Sequence, residues 1–421
     1  VKRPAVLAVA LRWDEGEEEP VGRLAGRDGT IYFEFDEAFV DSARLLSWGL
    51  KAPRRGVIAG PPAPFDGLHG VFDDSLPDGW GRLLIHRRAN RLGIDPRTLS
   101  PLDMLACMGE WAMGALVYRP AVEEPAAAGG IDLDTVAEQM RHVLRGAPDQ
   151  LFPELLRIGG SPGGARPKAI VCRDERSGEL LHGTPVAPEG GTHWLVKFRG
   201  KDDPADIGPI EEAYARMARA AGIALPPTAL FPSGHARTPA YFGVRRFDRV
   251  GAAGRLHLHS ASGHIHADFR QPNLDYKTLM ALTLQLTRDQ RAVVELFRRA
   301  AFNVFAHNRD DHGRQFAFLM DRAGGWTLAP AYDLTFSHGP GGEHSTTVLG
   351  EGRAPGERHL LSLAHEFGIA PAEAAEAVER VRAAVARWWE FADGAGVGRA
   401  SRTRIGAVIA PRPAARRKAG A

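Results

Sequence analysis

The sequence predicts an α+β fold, with sheet-forming segments in the first part of the chain and a mostly helical back half, and three observations predict it. Short strand-like runs dominate between about residue 150 and Phe247, the hydrophobic period turns helical from Leu274 onward, and one hairpin between Gln315 and Ala331 interrupts the helices. Composition agrees: 421 residues, 44% hydrophobic and 25% charged, suffice for two or three cores. Lys and Arg total 53 against 51 Asp and Glu, a formal charge of +2, so no global field drives promiscuous nucleic-acid binding. Two cysteines, Cys107 and Cys172, are too few for a disulfide framework or a thiolate zinc site, which points to a reducing cytoplasm. The apolar run Pro4 to Leu11 is too short to span a bilayer and leads into Trp13 and the acidic stretch Asp14 to Glu19, so neither secretion nor membrane insertion is expected.

Taken in order, Ala121 to Gly130 reads as a low-complexity linker, and Asp132 to Leu144 as a helix with acidic residues in its first turn. Strands follow at Lys168 to Cys172, Glu179 to Leu181, Trp194 to Phe198 and Tyr241 to Phe247, with one helix at Ile210 to Ala221, which makes a small mixed sheet. Thr287-Arg288-Asp289-Gln290 reads as a capping box opening a helix with Val293, Leu296, Phe297 and Ala300 on its apolar face. Pro371 at a first helical position starts another helix, and Arg399 to Ala421, rich in Arg, Ala and Pro, is expected to be a mobile tail. The division that results is 1–124, 125–249 and 250–421, with no solenoid or propeller repeat.

The stretch Ala306 to Ser337 carries the most chemistry. Gln315 to Met320 reads as a strand, Asp321 to Gly325 as its turn and Trp326 to Ala331 as the returning strand, which sets Met320 near Trp326 and Gln315 near Ala331. Asp310, Asp311, His312, Gln315 and Asp333 then converge at one end of the hairpin. Clustered carboxylates repel, and a phosphoryl-transfer centre gives them a use: an Asp that accepts the proton of an attacking hydroxyl, an amide five residues on that holds Mg²⁺, and a second Asp that bridges metal and phosphates. Asp310, Gln315 and Asp333 fit those roles, and the spacing equals the D-x-x-x-x-N of a kinase catalytic loop, although His312 follows the Asp instead of preceding it. A solvated polar hairpin end is the plain alternative.

Upstream, Gly159 to Lys168 is a glycine-rich loop leading into a strand, able to cradle phosphate oxygens with backbone N–H groups, though no Gly-Lys-Ser/Thr closes it as a Walker motif. A plain turn is its bland reading. Leu195 and Lys197 share one face of their strand, and a Lys on an apolar strand is costly unless it meets an anion or protects a sheet edge. Glu211 and Glu212 open the next helix and offer a carboxylate to Lys197, while first-turn acids also suit the helix dipole.

Jointly these stretches resemble the HipA family of serine/threonine kinases, toxins of bacterial HipBA-type toxin–antitoxin systems. The resemblance is carried by Ser75 to Arg82, Met113 to Leu116, Gly159 to Lys168, Leu195 to Phe198, Glu211 with Met217, Val244 to Arg249, Asn308 to Phe316 and Leu328 to Asp333. It implies a two-lobed kinase-like fold, a mixed-sheet N-lobe and a mainly helical C-lobe, that binds ATP and Mg²⁺. It implies Lys197 at the phosphates with Glu211 as partner (Glu212 being the alternative), and Ser161, Gly163, Gly164 and Lys168 in the nucleotide-binding loop. Arg245, Arg246 and Phe247 would form the hinge near adenine, Asp310 the catalytic base, and Gln315 and Asp333 the metal ligands, with the role of His312 left open. It further implies autophosphorylation at Ser161, the only hydroxyl residue of the loop, a HipB-like helix-turn-helix antitoxin as partner, and an aminoacyl-tRNA synthetase as target class. The departure from the family pattern is Gln315, where Asn is expected: one more methylene moves the amide oxygen by roughly 1 to 1.5 Å, against metal–oxygen distances near 2.1 Å.

Three other readings compete. A pseudokinase that binds nucleotide or antitoxin without transfer is motivated by Gln315. A metal-dependent phosphohydrolase is motivated by His307, Asp310, Asp311 and His312, but leaves Lys197 and the glycine loop unused. His257, His259, His264 and His266 invite a zinc site, yet strand alternation alone puts His257 and His259 on one face. The basic residues of the tail, Arg399 to Lys418, lack aromatic interleaving and read as a solvated terminus more readily than as a nucleic-acid contact.

Overall fold

A computed structural model describes residues 6–77, 79–122, 129–145, 166–235 and 238–410. The chain opens with a five-stranded antiparallel sheet ordered Val57–Ala59, Thr30–Phe35, Glu17–Arg27, Val6–Asp14, Leu116–Arg119. Its strands alternate as a half-buried sheet should: Leu7, Val9, Leu11 and Trp13 point inward from the first one. The helix Pro101–Met108 closes this layer, started by a capping box in which Ser100 and Asp103 satisfy each other's backbone N–H groups.

A second sheet of six strands runs Thr228–Pro232, Ala240–Arg245, Gly191–Lys197, Lys168–Asp174, Leu180–His182, Gly129–Gly130. Every pairing in it is antiparallel, a refinement of the mixed sheet expected. Two helices pack with it: Leu133–Leu144, capped by Asp132, contributes Leu133, Val136 and Met140 to the core under the sheet, and Ile207–Ala220 lies against the strand Ala240–Arg245. The latter helix begins at Ile207, three residues before the expected start at Ile210. Glu211 therefore stands beyond the first turn, where the helix dipole explains little of its presence. Lys197 lies on a strand paired on both sides, opposite Phe242 and Lys168, so edge protection is not its purpose.

The back half is helical: Tyr276–Thr287, Gln290–Phe305, Glu357–Glu366, Pro371–Ala386, Trp388–Gly394 and Arg399–Ile409. Three expectations need correction. Thr287 ends one helix instead of capping the next. Arg288 turns the chain in the left-handed region, and Asp289 is the cap, accepting from the Arg291 N–H. Arg399–Ile409 is a helix that buries Ser401, Ile405 and Gly406, so the tail expected to be mobile from Arg399 is packed as far as Ile409; residues 411–421 lie outside the described residues. Gln315 sits in a single 3₁₀ turn, Gly313–Gln315, and the strand starts only at Ala317. The hairpin itself forms as expected, with Met320 opposite Trp326, and His257–Ser260 adds a third strand to it.

One continuous hydrophobic core joins the N-terminal sheet to the helical half, from Leu7 and Phe33 through Phe297 to Trp388 and Ile405, and a smaller one lies beneath the second sheet. The N-terminal segment is thus built into the molecule, not appended to it. Both cysteines are free thiols, and among the described residues no helix is long and apolar enough to cross a membrane.

Candidate active site

Lys197 stands at the end of its central strand, mostly buried, with its ammonium among carboxylates. Its Nζ lies 2.8 Å from Glu211 Oε2 and also pairs with Asp333 Oδ1. Burial would depress the Lys197 pKa, but Asp333 and Glu211 outweigh it and raise it, so the residue stays charged. Asp333 shows the complementary balance. Burial pushes its carboxyl up, yet the Lys197 charge and hydrogen bond, the Gln315 amide and the Arg166 charge together hold it well below the usual carboxylate range. The second oxygen of Asp333 accepts from Gln315 Nε2 at 2.9 Å, and Asp333 itself holds the left-handed backbone angle φ 57°. Of the two glutamates, Glu211 is the partner of Lys197. Glu212 turns away to Arg216, 2.7 Å, and accepts from Thr228.

Asp310 enters the same field from the loop after helix Gln290–Phe305. It is open to solvent at one edge, but the protein atoms crowding its carboxyl raise its pKa; His312 opposes this, and the negative charges of Asp333 and Asp311 add to it. Two residues on, His312 caps the 3₁₀ turn, its Nδ1 accepting from the Arg314 N–H at 3.3 Å, with its ring against Phe269. This gives His312 a structural duty that the sequence left open.

Asp311 holds the loop in place. Fully buried, it accepts from the Ser345 N–H at 2.9 Å, the Thr346 N–H at 3.2 Å and the Tyr276 hydroxyl at 2.8 Å, and pairs with His344 at 2.9 Å. Asn303 donates to Tyr276 and accepts from Asn308, which ties the helix end to the loop. A carboxylate saturated in this way has no lone pair to spare for a metal, which removes one pillar of the phosphohydrolase reading. His307 packs its ring on Phe336 at 5.3 Å and His338 at 5.7 Å, and burial pushes its pKa down to about 4.

The remaining candidates divide. Ser161, Gly163 and Gly164 lie outside the described residues. Lys168 is buried on its strand, its Cα opposite that of Lys197. Arg245 is exposed, and Phe247 stacks on Tyr332 at 5.5 Å, next to Asp333. Arg246 belongs elsewhere, its buried guanidinium engaged with Asp248 at 2.6 Å, so a hinge here would offer backbone groups instead of that side chain. His257, His259 and His264 are buried together, and among the described residues no three His, Cys, Asp or Glu are placed to hold a metal ion.

Sequence reasoning missed Arg166. Its Nη1 lies 2.5 Å from Glu211 Oε1 and its Nε 3.0 Å from Asp203, so Glu211 bridges two cations, Arg166 and Lys197. Its place two residues before the strand that pairs with Lys197 was the available signal. Also missed were Asp73 and Asp74, which reach the loop from far away in the sequence.

Comparison with known proteins fits this arrangement. A family description of the HipA-like C-terminal domain matches residues 160–389, and one of the HipA N-terminal domain matches residues 16–119. Y4mE of Sinorhizobium fredii, which carries a provisional kinase name, is 28% identical over 341 residues, covering 74% of this chain and 75% of that protein. In overall fold the chain is similar to Shewanella oneidensis HipA, solved with HipB and its operator DNA: TM-score 0.66 at 15% identity, covering 96% of this chain and 95% of the other. The two-lobed, kinase-like arrangement of sheet and helices is shared along almost the whole length, and the chain belongs to the HipA family.

Proposed function

We propose that the chain is a protein kinase that transfers the γ-phosphoryl group of ATP to a serine or threonine hydroxyl, as the toxin of a toxin–antitoxin pair acting in the cytoplasm. The observation that carries this reading is Lys197 held between Glu211 and Asp333, with Asp310 and Gln315 on the adjoining loop. A cation fixed on a central strand by a helix carboxylate is what positions nucleotide phosphates, and Arg166 adds a second cation to the same glutamate. Asp310, its carboxyl pushed up by crowding and neighbouring negative charge and so a stronger base once ionised, is the group to take the proton from the acceptor hydroxyl as the oxygen attacks phosphorus. Asp333 and Gln315 present oxygen donors suited to a hard cation once the Gln315 amide turns over, and so few protein ligands suit an ion shared with phosphates. Mg²⁺ held there would neutralise the phosphate charge. Arg245 to Phe247 would lie beside adenine, and Ser161 would be the site of autophosphorylation.

A HipB-like helix-turn-helix antitoxin is the partner this reading includes, and an aminoacyl-tRNA synthetase the target class. The test is intact mass after incubation with ATP and Mg²⁺, with peptide mapping. A phosphoryl adduct is expected in the wild type and is lost in Asp310→Ala and Asp333→Ala, while Lys197→Ala chiefly weakens nucleotide binding. Full activity of Asp310→Ala would overturn the assignment. One observation favours a pseudokinase as the second reading: the Gln315 amide nitrogen, not its oxygen, faces Asp333. Absence of any adduct in the wild type, with activity restored by Gln315→Asn, would select it.

A further inference from the structure

The turn that presents Gln315 is gripped from the N-terminal domain. Arg314, directly before Gln315, donates through Nη2 to the carboxylate of Asp73 and, at 3.3 Å, to its backbone carbonyl, and its Nε lies 3.9 Å from Asp74 Oδ1. The guanidinium is covered by the Phe269 ring at 4.1 Å, and the Arg314 carbonyl accepts from the Tyr332 hydroxyl at 2.5 Å. Both aspartates are fixed in their turn. Asp74 accepts from the Ser260 N–H at 2.6 Å and its hydroxyl at 2.7 Å, and pairs with His259 Nδ1 at 2.5 Å, whose other nitrogen meets Ser47 at 2.8 Å. The short helix Gly70–Asp73 comes so close to Gly263 that a Cβ at Gly70 would lie 2.2 Å from the Gly263 carbonyl oxygen. Nothing larger than glycine fits, and the approach delivers Asp73 and Asp74 to Arg314.

We propose that Asp73 and Asp74 are positioning residues for the metal-holding end of the catalytic loop, acting through Arg314 on Gln315. Gln315 carries one more methylene than the Asn expected of the family, so the place of its amide oxygen depends heavily on where the backbone turn is held. An arginine whose Nη2 donates to both the carboxylate and the carbonyl of Asp73, half-buried and covered by the Phe269 ring, fixes that turn better than solvent contacts could. On this account the N-terminal domain completes the kinase site, and anything that shifts that domain acts first on metal binding. The inference rests on the kinase reading above.

The test uses the full chain saturated with a non-hydrolysable ATP analogue and titrated with Mn²⁺, free ion being followed by electron paramagnetic resonance. Analogue affinity without metal is measured separately by calorimetry. Asp73→Asn is expected to weaken Mn²⁺ binding about tenfold, the scale for removing a partner that orients a metal ligand, and to leave metal-free analogue affinity within about twofold. Arg314→Lys keeps the charge but not the planar guanidinium under the Phe269 ring, and is expected to fall between; it serves as the second variant if Asp73→Asn does not fold. Unchanged Mn²⁺ affinity in a folded variant would overturn the proposal alone, as would a parallel loss of metal and metal-free nucleotide binding, which signals general loosening. A wild type that binds neither analogue nor Mn²⁺ would overturn the kinase reading and this proposal with it.

Discussion

At Asp310 function and stability pull in opposite directions. Because crowding and neighbouring negative charge raise its pKa, the folded state holds this proton more tightly than the unfolded chain does. Stability contributed by the group is therefore lost as pH rises from below the ordinary aspartate value through the raised one. Asp310→Asn removes that cost at neutral pH. It is expected to lower phosphoryl transfer by about 10²- to 10⁴-fold, the range for a general base, while the melting temperature at pH 7 holds or rises. The gap in melting temperature should close below pH of about 4, where both chains are neutral at this position. Transfer by the wild type should rise with pH through the same raised pKa. A pH-independent rate, or a variant less stable than the wild type at pH 7, would count against Asp310 as a crowded base. Residue types and spacing made Asp310, Gln315 and Asp333 legible beforehand as candidates, because phosphoryl-transfer chemistry would ask for them at such offsets, and Lys197 was legible as a charge on an otherwise apolar strand. Arg166, Asp73 and Asp74 were not legible, since their roles depend on contacts that no local spacing encodes.

At the scale of elements, periodicity located the strands Lys168–Asp174, Leu180–His182, Gly191–Lys197 and Ala240–Arg245 and the helices Leu133–Leu144, Ile207–Ala220, Gln290–Phe305 and Pro371–Ala386, but not always their ends, and it named no element of the N-terminal sheet. Helix Ile207–Ala220 starts early because Gly208 and Pro209 are tolerated in a first turn. There N–H groups have no intrahelical partner, and a Cβ at Gly208 would lie 2.5 Å from the Ala240 carbonyl oxygen. The last helix was hidden by its composition: Arg399, Arg402 and Arg404 looked like a solvated basic terminus, and only the spacing of Ser401 and Ile405 betrays a buried face. Trp388 Nε1 donates to the Arg402 carbonyl at 3.0 Å and Trp389 Nε1 to that of Ala410, the residue that ends the helix, at 3.0 Å, so both indole N–H groups find partners on this segment. Ile405 is wholly buried in the main core. Ile405→Ala is expected to cost about 2 to 5 kcal/mol in urea unfolding, as for other large-to-small changes in a core. A change below about 0.5 kcal/mol, the ordinary surface value, would mean that the helix is not part of the folded unit.

Across the whole molecule, the N-terminal domain is joined to the second sheet by buried charge, and Asp248 is the centre of that joint. It pairs with Arg246 at 2.6 Å and Arg249 at 2.7 Å and accepts from the Gly114 N–H at 2.7 Å, while Arg249 returns to the Gly114 carbonyl at 3.0 Å. Gly114 adopts φ 81°, and a Cβ there would lie 2.7 Å from the Leu258 nitrogen, so a steric approach to Leu258 accompanies the electrostatic contact with Asp248, 134 residues away. Burial alone would raise the Asp248 pKa, but Arg246, Arg249 and the Gly114 N–H outweigh it and hold the carboxyl far below its usual range. Its stabilisation is present above the unfolded value, about 3.9, and is lost as pH falls toward the depressed folded value. Asp248→Ala strands two buried arginines, for which the expected loss is about 3 to 5 kcal/mol in urea unfolding at pH 7. Asp248→Asn keeps the shape and one acceptor, so it should lose less at pH 7 and show a shallower fall in stability between about pH 4 and pH 2. Parallel pH curves for the wild type and Asp248→Asn would mean that the two arginines are balanced elsewhere, and that the N-terminal domain is held to the second sheet by packing alone.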